Sequence, residues 1–182
     1  MNIFVLDKDP QIAAWMHDDL RLGKMLIEAT QMLTTALYRH GATEEMLLEA
    51  GVTTQAGNAW RRTHQHHPCT IWAGNTRSNW RWLWDHAVGL QVEFYARRGK
   101  HHACSDPAYY TARLAHLIPD GPLTRHPLAM PDEFKGDDVV ESYRRYYMSK
   151  ERVVWNNPQD IPEWARVYMT PADSNNVTEE QE

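Results

Sequence analysis

Five polar residues near the start of the chain, His17, Arg21, Lys24, Glu28 and Gln31, recur at steps of three and four. On a helix that turns about 100° per residue they share one wedge of roughly 80°. Ile12, Trp15, Met16, Leu20, Leu22, Met25, Leu26, Ile27, Met32, Leu33 and Leu37 cover most of the remaining circumference. A surface helix has the opposite proportion, so this one is expected to be central, with its polar stripe either facing solvent through a cleft or paired internally. One reading is a solvated strip in which Lys24 and Glu28 form an ordinary i,i+4 pair. The other is a catalytic face, because an adjacent amine and carboxylate tune each other's proton affinity and can act as nucleophile and acid/base.

A second constellation is HQHHPC at 64–69, answered by HHAC at 101–104. Together His67, Cys69, His102 and Cys104 offer enough nitrogen and sulfur for a tetrahedral zinc site, although the spacing matches no standard finger and no metal is favoured. The alternative is two small core cysteines, a turn at His67-Pro68 and surface histidines at 101–102. Histidines beside Arg97, Arg98 and Lys100 also suit phosphate. Aromatic residues interleaved with basic ones, around Arg77 to Trp84 and from Tyr143 through Arg144 to Tyr147, suit core packing and equally suit base stacking with backbone contact. Asp7-Lys8-Asp9 resembles the DxD motif of haloacid-dehalogenase-like phosphatases, but Pro10 stands where glycine-threonine is needed, so helix capping explains it better. No glycine-rich phosphate loop is present, and no cofactor is called for.

The elements that must position these groups are mostly helical. Ile3 to Leu6 is a short β-prone run, and Asp9-Pro10 then starts a long helix expected to reach about residue 39. Thr43 caps a shorter helix closed by Gly51, and residues 51–76 look irregular. Ser78 or Asn79 caps a helix that runs to Gly99, and Asp106-Pro107 begins another to about Leu117. The proline-rich segment from Ile118 to Phe134 is expected to be an ordered, non-regular strap. Asp137 or Asp138 then caps a helix toward Trp155, with a last turn or short helix over Pro158 to Trp164.

At 182 residues, with 42% hydrophobic and 24% charged residues, the chain fits one domain. The net charge of -5 is concentrated at the end: Asp173, Glu179, Glu180 and Glu182 lie in the last ten residues, leaving 19 basic against 20 acidic residues over 1–172. Residues 57–126 are basic, with nine Lys or Arg against four Asp or Glu and eight of the ten histidines. The expected organisation is a single helical domain over 1–172 and an acidic flexible tail over 173–182. The weak overall balance argues against a protein that coats nucleic acid indiscriminately. No run approaches a membrane span or a signal peptide, and two cysteines suit a reducing compartment, so a cytoplasmic protein is expected.

The chain resembles small proteins of tailed bacteriophages with the pattern MNIFVLD-x-DP, then KM-x-x-E-x-x-Q-M-L, H-P-x-x-x-W-A, N-x-x-W-L, R-x-G-K-x-H and MPDEFK. The matching positions are Lys24-Met25, Glu28, Gln31-Met32-Leu33, His67-Pro68, Trp72-Ala73, Asn79, Trp82-Leu83, Arg98-Gly99-Lys100, His102 and Met130 to Lys135. It more distantly resembles the pyrimidine-dimer DNA glycosylase family called endonuclease V. That likeness lies in a near N-terminal helix with His, Arg and Glu, an aromatic helix ending in Arg-Gly, and the segment Pro131-Asp132-Glu133-Phe134-Lys135-Gly136-Asp137. The resemblance implies a mainly α, endonuclease V-like fold. It also implies an N-terminal α-amine that forms an imine with a damaged nucleotide, with a helix glutamate serving glycosidic cleavage and β-elimination. His17 corresponds to the family histidine, and Arg21 or Lys24 to its phosphate-binding arginines, while Glu28 lies about one turn beyond the matching glutamate. Asn2 disfavours removal of Met1, so the free amine belongs to Met1.

The expected function is therefore a phage-type enzyme acting on a DNA base or nucleotide in the host cytoplasm, most concretely a DNA glycosylase/AP-lyase. Its catalytic candidates are Lys24, Glu28, His17 and Met1. Candidates for holding substrate or phosphate are Arg21, Gln31, His67, Asn79, Trp82, Arg98, Lys100, His102 and Arg144. The alternatives are a base-modifying transferase or nucleotide hydrolase using the same pocket, and a non-catalytic module that binds nucleic acid or protein.

Overall fold

A computed structural model describes residues 1–169, so the expected acidic tail at 173–182 lies outside the described residues. The first helix, α1 (Pro10–Trp15), begins where the Asp9 carboxylate accepts the amides of Gln11 and Ile12, and Pro10 occupies the first turn. It ends far short of residue 39. Residues 16–21 form a turn, and the central helix α2 (Leu22–Arg39) starts anew. The break is made by two acids whose short side chains compete for backbone hydrogen bonds. Asp18 accepts from the Arg21 amide at 2.9 Å and the Val154 amide at 2.9 Å. Asp19 accepts from the Asn156 amide at 2.7 Å. A distant stretch of chain thus holds the turn.

As its apolar circumference predicts, α2 is buried along most of its length. Around it lie α3 (Glu44–Glu49), α4 (Pro68–Asn75), the 22-residue α5 (Arg77–Arg98) and α6 (Ser105–Tyr110), which continues as a 3-10 turn to Leu117. Thr76, not Ser78 or Asn79, caps α5, and Gly99 ends it in the left-handed region at φ 64°. Of the expected irregular stretch, residues 51–67 and Thr76 lack a helix, because Pro68 initiates α4 over Pro68–Asn75. Gly89 of α5 brings α1 close: a Cβ there would stand 2.8 Å from the Ala14 Cβ.

The proline strap crosses α4 and α5 as a non-regular segment, and α7 (Val139–Met148), capped by Asp138, stops before the expected Trp155. The short α8 (Glu163–Arg166) packs on α7. Among the described residues no helix is long and apolar enough to cross a membrane.

The N-terminal run departs from expectation. Among the described residues there is no strand, only an isolated bridge between Thr53 and Ala59. Ile3 to Leu6 instead threads the helical core, each residue at most 5% exposed. No neighbouring strand offers a ladder, so its polar groups are met singly, as buried backbone requires. The Asn2 Oδ1 accepts the Ile3 and Phe4 amides, the Asn2 side-chain Nδ2 donates to the Ala129 carbonyl, and Arg144 Nε donates to the Leu6 carbonyl. Phe4 takes φ 51°, a conformation uncommon for a residue with a side chain.

Candidate active site

The threaded N-terminus delivers Met1 to the start of α2. The Met1 side chain is 2% exposed, and its α-amine lies 3.9 Å from Glu28 Oε1. Glu28, 12% exposed, accepts the Asn2 amide on its other oxygen at 2.7 Å, which fixes the carboxylate beside the amine. Lys24 Nζ lies 3.9 Å from the same Oε1, but its side chain is 67% exposed and stands at the rim. These groups line a pocket of about 240 Å³ together with Phe4, Arg21, Tyr146 and Lys150. Arg21 is held by Asp18 at 2.8 Å and by the Arg152 carbonyl at 2.7 Å. Lys150 Nζ sits 3.5 Å from the Tyr146 ring centroid, a cation over an aromatic face. Phe4 stacks on Tyr146 with centroids 5.7 Å apart, and so closes the wall behind the amine.

His67 lies on the other side, near enough to the Met1 amine to feel its charge, and the Thr70 hydroxyl reaches the Met1 sulfur at 3.6 Å. Burial, followed by the nearby amine and His64, lowers the His67 pKa.

The pocket therefore gathers Met1, Arg21, Lys24 and Glu28 from the expected set, with His67 against its inner side. The remaining candidates stand elsewhere. His17 lies in the turn ahead of α2, fully buried behind Phe4, with Nδ1 3.3 Å from the Tyr147 hydroxyl. Burial, then His86, Arg21 and Arg97, push its pKa well below the usual imidazole value, so it is a neutral core group that cannot hold phosphate by charge. Gln31 is half-buried on α2 and outside the pocket lining. Asn79 is buried and ties the strap to the helices through the Trp72 carbonyl and Thr124. Trp82 is a core residue whose indole donates to the Lys8 carbonyl.

Arg98 reaches the Asp19 carbonyl at 3.1 Å, and Lys100 is exposed beyond Gly99. Arg144 braces the N-terminal run through Leu6 and Asp7 and lies over the Trp164 ring. The two His-x-Cys motifs perform the same local task. His67 Nδ1 accepts the Cys69 amide at 3.2 Å, and His102 Nδ1 accepts the Cys104 amide at 3.1 Å. Among the described residues no three His, Cys, Asp or Glu side chains are arranged to hold a metal. Burial pushes the Cys69 thiol up to about 12 and the Cys104 thiol up to about 11, so both are inert core groups.

Lys150 and Tyr146 were not candidates from sequence alone. The signal was partly visible, since Tyr146 belongs to the basic aromatic run and Lys150 follows it by four residues. Chemically, the pocket offers an amine and a carboxylate at the same point, with cations on the rim. Of the two amines, that of Met1 lies inside the pocket beside the fixed carboxylate, whereas Lys24 is 67% exposed at its rim. No protein-family model, curated protein or solved structure matches this chain.

Proposed function

We propose that the chain is a phage-type DNA glycosylase/AP-lyase, in which the Met1 α-amine is the nucleophile and Glu28 the acid/base. The observation that carries this reading is the 3.9 Å approach of the amine to Glu28 Oε1 inside a pocket rimmed by Arg21, Lys24 and Lys150. The resemblance to the pyrimidine-dimer glycosylase family supports it. The amine attacks the sugar C1′, with loss of the base or, at an abasic site, of water, and forms an imine. Glu28 takes the C2′ proton, the C3′–O3′ bond breaks with phosphate leaving, and water then releases the enzyme from the imine. The rim cations hold phosphates flanking the reacting sugar. In this reading His17 supports the wall behind Phe4, and Lys24 is a rim cation.

Borohydride reduction in the presence of abasic-site DNA tests the proposal. A covalent adduct mapping to the peptide that begins at Met1 is expected. Absence of both adduct and strand cleavage overturns the lyase. An adduct on Lys24 overturns the assignment of the nucleophile.

A further inference from the structure

A second concavity, of about 430 Å³, opens where residues 5–8, the proline strap and the start of α7 meet. Its volume is within the range of roughly 300–1,000 Å³ usual for small-molecule sites. Val5, Leu123, Val139 and Val140 supply its apolar surface. Three features distinguish it from a mere surface dent. First, Lys8 and Arg125 line it and neither forms an ion pair among the described residues. Arg125 is aimed by two backbone carbonyls, those of Gly136 and Asp137.

Second, Asp137 is a lining residue whose carboxylate forms no ion pair among the described residues, whereas that of its neighbour Asp138 is occupied in capping α7. Third, the His126 ring lines the groove and is packed against Trp72 and Trp82, at centroid distances of 4.3 and 4.4 Å. Burial, then His86, depress its pKa to about 4, so it adds no charge to the groove at neutral pH.

We infer that this groove binds a free α-amino acid with an apolar side chain, its carboxylate on Lys8 and Arg125, its ammonium on Asp137 and its side chain on the valine and leucine surface. A simple organic anion would leave Asp137 opposed to it, and a simple amine would leave both cations unanswered. The inference is independent of the lyase reading, because the groove shares no residue with the amine pocket.

Calorimetric titration of the full chain with L-phenylalanine, phenethylamine and hydrocinnamate tests it. L-phenylalanine is expected to bind, with each truncated analogue at least about tenfold weaker, in line with loss of one charge-assisted contact. Lys8→Gln and Asp137→Asn, both at exposed positions, are each expected to weaken L-phenylalanine about tenfold while leaving thermal unfolding unchanged. No heat with L-phenylalanine up to about 10 mM overturns the inference. So does equal binding of the three compounds, or unaltered affinity in both variants.

Discussion

Two groups of polar residues lie on either side of Phe4 and meet opposite fates. On one side the Met1 amine, Glu28, Lys24 and Lys150 face a pocket. On the other, His17 and His86 are fully buried with ring centroids 5.5 Å apart, and the Nε2 of each lacks a protein partner. Both groups draw on residues whose types suit catalysis, yet burial leaves the imidazoles neutral, with His86 lowered to about 4. Whether a titratable side chain is available for chemistry is decided by the water around it, and its place in a sequence stripe does not reveal that. The comparison predicts that changes in the pocket alter chemistry with little loss of stability, whereas changes behind Phe4 do the reverse.

The largest expected effect is on the pocket side. In the proposed lyase, Glu28→Gln keeps an acceptor for the Asn2 backbone amide but loses the acid/base, so strand cleavage should fall by about 10²–10⁴-fold while the denaturation midpoint stays close to the parent's. An unchanged cleavage rate would break the comparison. Next is the anchor beneath both regions. Asp18 is fully buried and accepts from Arg21, Tyr147 and Val154, so Asp18→Ala strands those donors and should cost about 3–5 kcal/mol in urea unfolding.

A smaller effect follows from pH. The folded pKa values of His17 and His86 lie below the unfolded value near 6.5, so the unfolded chain binds more protons in acid. The imidazole contribution is complete above about pH 6.5 and is lost as pH falls toward 4, with a slope approaching about 1.4 kcal/mol per pH unit for each histidine. Urea titrations across that window should show the fall, and His86→Asn should flatten it. Smallest is Lys24→Ala. With its side chain 67% exposed, the ion pair is worth at most about 1 kcal/mol, and borohydride trapping should persist at Met1.

Parts of this arrangement were legible in the sequence for clear reasons. The apolar circumference of residues 22–39 required a central helix, and Asp9, Thr43 and Asp138 cap helices because a short acceptor followed by a helical run leaves little alternative. The Lys24 and Glu28 pairing follows from a four-residue step. The turn at 16–21 was hidden because its partners, Tyr147 and Val154, are more than a hundred residues away. That turn removes His17 from the stripe. For the same reason Ile3 to Leu6 reads as a strand locally, although the surrounding helices provide no strand to pair with. The repeated His-x-Cys motif suggested a metal because ligand types are visible in sequence, whereas a ring nitrogen accepting an amide two residues on is not.

The path of the first four residues has a practical corollary. A peptide fused upstream of Met1 would turn its nitrogen into an amide, which has no lone pair available for addition to an aldehyde. It would also require room beside a side chain that is 2% exposed and a carboxylate already holding the Asn2 amide. Under the proposed lyase mechanism, affinity tags for functional assays therefore belong at the opposite terminus, and an N-terminal fusion is expected to abolish borohydride trapping.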